Sequence, residues 1–249
     1  MEMTMSDFLI DPDRFAAINL QKGAHATPDQ GQCLMEAVAF LVGEQFSDHP
    51  KCVSPILGQF GRSLNDVLPN DLRQELKALI PSLPGTADDG LDEQRGYMAL
   101  DWLVRTWLPA WLDLAPTCRA DAAKVRELGR IVDLVSAERA GPVVREARKN
   151  AAAAGDAALA AAGAAAWAAA RDAAGAAAGA AAWAAARDAA GAAAGAAAWA
   201  AAWDAAGAAA GAAAGAAAGA AAGAALKSTV VELQRSAIDL YRDMIKDPG

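Results

Sequence analysis

Three features of the 249-residue chain predict an all-α protein. Apolar residues recur at helical spacing through residues 1–141, no convincing alternating run of β-branched residues occurs anywhere, and the C-terminal third is dominated by alanine, the best helix former. Residues 151–225 hold 53 alanines and 11 glycines among 75 positions, so whole-chain composition averages two different materials. The division read from this is a globular helical domain over 1–141, long enough to bury a single core, an Ala/Gly-rich helical repeat over 142–225, and a short amphipathic C-terminal helix over 226–249.

Within the first domain, breakers separate the helices. Gln32 to Gln45 reads as a buried helix, with Leu34, Ala37, Val38, Phe40, Leu41 and Val42 around most of its circumference. Ser54 is placed to cap a second helix whose first position is Pro55 and whose apolar face carries Leu57, Phe60 and Leu64. Pro69-Asn70-Asp71 opens a third, with Leu72, Leu76, Leu79 and Ile80, before Pro81 and Pro84-Gly85 stop it. Asp92 to Leu114 is the strongest core helix. In it Met98, Trp102, Leu103, Trp107 and Trp111 fall at helical spacing, and Pro109 is expected to kink or end it. A last helix is expected from Asp121 to Glu138, burying Val125, Leu128, Val132 and Val135, with Gly141-Pro142 as the domain boundary.

The repeat has a period of four nested in sixteen. One position in each tetrad varies among Leu159, Gly163, Trp167, Arg171, Gly175 and their successors, and Trp167, Trp183 and Trp199, like Asp172, Asp188 and Asp204, recur every sixteen residues. Trp, Arg and Gly have codons that can differ in the first base alone, so slippage and drift in GC-rich DNA compete with selection as the origin of the pattern. A four-residue period advances about 40° per tetrad around a helix, so no flat partner surface can cover every tryptophan. Small-residue faces let helices approach closely, which favours self-association. The tail from Leu226 to Lys246 pairs Thr229 with Glu232 as a capping box and carries Leu226, Val230, Leu233, Ala237, Leu240 and Met244 on one seam. That seam suits packing on the first domain as well as it suits dimerisation.

Charge and cysteine usage narrow the setting. The formal net charge is −8, and the nearest approach to a basic cluster is Arg145, Arg148 and Lys149, which disfavours nucleic acid as a partner. The segment Met1–Arg14 carries four acidic residues and lacks the pattern of a secretory signal. Three cysteines, an odd number, argue against a disulfide framework and leave the cytoplasm as the expected compartment. The charge-free run Ala205–Leu226 has membrane length and GxxxG spacings, yet lacks the Leu, Ile, Phe and Val that drive insertion. Ice binding by a flat small-residue helix is a minor alternative, without the threonine spacing familiar from some alanine-rich antifreeze helices.

One constellation suggests chemistry. Gly31-Gln32-Cys33-Leu34-Met35-Glu36-Ala37 is followed by Ser47-Asp48-His49-Pro50-Lys51-Cys52. Here the chain resembles a family of uncharacterised proteins from bacteriophages and high-GC bacteria that share G-Q-C-x-M-E-A and S-D-H-P-x-C. The similarity extends through Arg62-Ser63-Leu64-Asn65-Asp66 and Asp101-Trp102-Leu103-Val104-Arg105, over roughly residues 30–115. The family has no known activity, so the resemblance implies none. From the residues themselves, Cys33, His49 and Cys52 are weak candidates for zinc ligands, with Asp48 or His25 as a fourth, although no CxxC spacing is present. Cys33 and His49 are also weak candidates for a nucleophile and base, Cys33 standing at a helix start where the dipole favours thiolate. The competing reading makes Cys33 and Cys52 small buried hydrophobes. Glu36, Glu44, Asp88 and Asp89 read as ordinary solvated positions, and Trp102, Trp107 and Trp111 as core rather than a ligand cage.

The function expected from these readings is a non-enzymatic structural or interaction protein that self-associates through its alanine-rich helical region and needs no cofactor. The alternative is a zinc-binding or thiol-dependent enzyme centred on Cys33, His49 and Cys52.

Overall fold

Side-chain caps fix where three of the first helices begin. The computed structural model describes residues 11–162 and 220–246. Asp11 accepts the Asp13 and Arg14 amides to start α1 (Pro12–Ala17), and Ser54 Oγ accepts the Leu57 amide to start α3 (Pro55–Val67), with proline at the first helical position of each. Between them α2 (Leu34–Val42) runs from Cys33 to Gly43, whose φ of 76° supplies the left-handed cap that a helix C-terminus favours. The third expected helix is real but short: α4 (Asn70–Glu75) passes into a tighter 3₁₀ segment, Leu76–Ser82, around Pro81.

The tryptophan-rich segment is continuous, and its proline is accommodated. α5 (Asp92–Trp102) runs into a π turn, Leu103–Trp107, before α6 (Leu108–Leu112). The Leu108 amide donates to the Leu103 carbonyl, one residue further back than in an α-helix. Pro109 has no N–H and its ring crowds the preceding turn, so widening that turn lets the helix continue through it. Trp102, Trp107 and Trp111 are all buried, the last two packed edge to face at 6.0 Å.

Three sequence expectations are corrected beyond this point. The helix expected over Asp121–Glu138 is two helices: α7 (Arg119–Arg126) ends before Gly129, and α8 (Leu134–Ala162) starts after a linker. Val125 and Leu128 face the core as expected, but past the linker Val132 and Val135 are 54% and 60% exposed while Ile131, expected only to flank that stripe, is buried. Gly141-Pro142 does not end a helix either, since α8 runs straight through it. Tertiary contacts carry the proline: Ala137, Ala140, Val144, Ala147 and Ala151 on both sides of it are buried in the same core as residues 18–131.

The last helix, α9 (Ala220–Ile245), packs on α3 and α5, and its Leu233, Ala237, Ile238, Tyr241 and Met244 belong to that same core. The core therefore does not stop at residue 141. Thr229 lies inside α9 rather than at its start, so the capping box read there is not one; Ser228 Oγ instead bonds Glu232 one turn on, at 3.0 Å. Residues 142–162 and 220–225 of the expected repeat are helix, while the tetrads from Gly163 to Gly219 lie outside the described residues. The fold is all-α: among the described residues no strand forms, and only an isolated bridge joins Leu20 to Gln32. No helix of the described residues is long and apolar enough to cross a membrane.

Candidate functional site

The first half of the cysteine motif is a strap across the N-terminus of α2. Four backbone N–H groups at a helix start lack partners within the helix, and buried starts must find them elsewhere. Cys33 is the N-cap: its sulfur accepts the Glu36 amide while Glu36 Oε2 accepts the Cys33 amide at 2.8 Å, a capping box built on cysteine. Asn65 Oδ1, from α3, takes the Leu34 amide at 3.2 Å. The positive end of the helix dipole favours a carboxylate here, which is why an acid only 1% exposed can sit at this point.

Glu36 also gathers the loop that precedes the helix. Its Oε1 accepts the His25 amide at 2.6 Å, and its Oε2 lies 2.8 Å from His25 Nδ1. Asn65 Nδ2 donates to the Gln21 carbonyl at 2.8 Å, Asp66 Oδ1 accepts the Gly23 amide at 2.8 Å, and Gln74 pairs with both backbone groups of Leu20. Gly31 makes the close approach possible. Its φ is 129°, and a Cβ there would lie 2.5 Å from Gln21 Oε1 and 2.8 Å from His25 Cδ2. A side chain at position 31 is excluded twice, by backbone strain and by space.

The second half of the motif is a separate strap. Glu44, just past α2, accepts the Lys51 amide at 2.6 Å and the Cys52 amide at 3.0 Å. Cys52 O accepts the Gly85 amide at 2.9 Å, and Arg62 Nη1 donates to the Asp48 carbonyl at 2.9 Å. The His49 ring is 68% exposed and its Nδ1 pairs with Asp48 Oδ1 at 2.6 Å.

Cys33, His49 and Cys52 thus serve different partners. Among the described residues no three His, Cys, Asp or Glu side chains come together as a metal-holding group. The dipole argument for a Cys33 thiolate is overturned: burial, reinforced by the Glu36 charge, pushes the thiol up to about 12. Cys52 is likewise pushed up to about 12 by burial and by Glu44. Cys118, the third cysteine, is buried and raised for the same first reason.

Sequence reasoning missed Glu36, Glu44 and Asn65, which hold the straps together. A signal existed for Glu36, because Cys33-x-x-Glu36 has capping-box spacing immediately before an apolar run. Arg95 was missed as well. It is fully buried, forms a fork with Asp89 at 2.8 and 2.6 Å, and donates through Nε to the Met244 carbonyl near the end of α9 at 2.9 Å. No protein-family model, curated protein or solved structure matches the chain.

Proposed function

We propose that the protein is a non-enzymatic structural or interaction protein that self-associates through its alanine-rich region. The observation that carries this reading is that both flanks of the repeat are rooted in one core. Ala137, Ala140, Val144, Ala147 and Ala151 of α8 and Leu233, Ala237, Ile238, Tyr241 and Met244 of α9 are buried in that core. The alanine- and glycine-rich sequence between them is therefore joined at each end to the same core. Close approach of small-residue helices from several copies supplies the contact.

The chemistry at the cysteine motif supports the same side. A thiol raised to about 12 holds almost no thiolate at neutral pH, and thiolate is what a nucleophile requires. The acidic chain and its odd cysteine count fit a cytoplasmic setting without nucleic acid as partner. Light scattering coupled to size-exclusion chromatography tests the reading on the full chain and on a chain lacking residues 163–219. The expected result is an oligomer for the first and a monomer for the second. A monomeric full chain, or an oligomer that survives the deletion, ends it.

A further inference from the structure

The loop that leads into α2 is fastened unlike the rest of the first domain. Its two flanks are fixed by burial, Leu20 at 0% and Cys33 at 3% exposed, whereas no residue from Gln21 to Gln32 is buried. The Gln21 amide donates to the Gln32 carbonyl at 2.8 Å and closes the neck. Compact surface loops whose ends adjoin in this way are frequently functional. Beyond the neck, among the described residues, the hydrogen bonds from residues 22–31 to other elements end on two carboxylates. Asp66 of α3 accepts the Gly23 amide, and Glu36 of α2 accepts the His25 amide and pairs with the His25 ring.

Such fastening separates the loop energetically from the core. Segments with few buried apolar contacts open at a lower free energy than the elements they lie on, and they do so as cooperative units. Here the opposing terms are close. Opening gives up the bonds from Gly23 and His25, but it also returns to water a carboxylate, that of Glu36, which is only 1% exposed when the loop is down. Gly23 and Gly31, with φ of 85° and 129°, stand near the two ends of the segment, and glycine absorbs large backbone changes at the least steric cost.

We propose that residues 22–31 form a lid that opens as one unit about Gly23 and Gly31, uncovering Glu36 at the start of α2 while the core stays folded. Hydrogen exchange of the full chain in low urea, read amide by amide, tests it. The Gly23 and His25 amides are expected to share one opening free energy, nearly independent of urea and below that of the α3 amides. Glu36→Gln leaves one acceptor oxygen where there were two and should speed their exchange about tenfold, as loss of a hydrogen bond to a charged group does. Gly23 is the deciding amide, because its partner is Asp66: in a single unit it accelerates together with His25, whereas independent bonds leave it unchanged. Gly31→Ala keeps both carboxylates but sets a Cβ against Gln21 Oε1 and His25 Cδ2, so it should accelerate the same two amides even if the first variant fails to fold. Exchange of Gly23 and His25 at the free energy and urea dependence of the α3 amides overturns the lid. An unchanged Gly23 rate in either folded variant overturns it as well.

Discussion

The two helices that flank the repeat are held to the body by different means. α8 presents a stripe of small residues, Ala137, Ala140, Val144, Ala147 and Ala151, spaced alternately by three and four, and it is tied to α7 through Asn150 and Asp121 at 2.9 Å. α9 presents bulk and hydrogen bonds: Tyr241 stacks on Phe60 at 5.6 Å, Trp102 Nε1 donates to Ser236 Oγ at 2.6 Å, and Arg95 holds the Met244 carbonyl. A small-residue stripe gains from close approach along its whole length, so no single residue dominates it. A bulky latch concentrates its contribution in a few side chains. The two flanks of the repeat should therefore respond differently to substitution.

The largest effect is expected at the latch. Tyr241→Ala removes a fully buried ring and its hydrogen bond and should cost about 3–5 kcal/mol in urea-unfolding free energy; a loss near 1 kcal/mol would show that α9 is not anchored there. Gly61→Ala attacks the same contact from the other side. A Cβ at position 61 would sit 2.5 Å from Tyr241 Oη and 3.0 Å from the end of Met35, so about 2–3 kcal/mol should be lost, and Tyr241→Phe in the same chain should recover part of it. On α8, Ala147→Leu forces helices apart at a position 1% exposed and should cost about 1–3 kcal/mol.

A smaller effect separates the helices by pH. Burial raises the Tyr241 phenol above its ordinary value of 10.0, so the native state holds that proton more tightly than the unfolded chain. Its contribution is complete below pH 10 and is lost as pH rises beyond it. Tyr241→Phe should cost about 1 kcal/mol at neutral pH for the missing hydrogen bond, then show a shallower stability loss above pH 10 than the parent. Cys33 and Cys52, raised from 9.0 to about 12, steepen the parent and the variant alike, so the comparison isolates the tyrosine. The smallest effect belongs to Val135→Ser on the exposed side of α8, expected within about 0.5 kcal/mol by thermal melting.

How much of this was legible varied with the range of the interaction. The start of α3 was readable because Ser54 and Pro55 act on amides within three residues. The break between α7 and α8 was not, because the apolar spacing from Val125 to Val135 is continuous on paper while the chain turns at the linker. Gly141-Pro142 misled in the opposite sense. A proline inside a helix carries a penalty of roughly 3 kcal/mol, but the flanking small residues buried against the core outweigh it. At the cysteine motif the residue types were noticed and their roles were not: cysteine is outside the usual capping set, and Glu36 looked solvated until a buried helix start was placed on it.

By itself the sequence determined the helical class, the cap at Ser54, the burial of Trp102, Trp107 and Trp111 and the composition of the repeat. These follow from periodicity and from contacts a few residues apart, which the chain carries wherever it folds. Tertiary structure alone decided that α8 and α9 share one core, that Arg95 reaches the end of α9, that Glu36 and Asp66 hold the loop before α2, and that Cys33 is a buried cap. Each depends on which distant surfaces exclude water together, and burial of that kind is a property of the packed chain rather than of any local stretch of it.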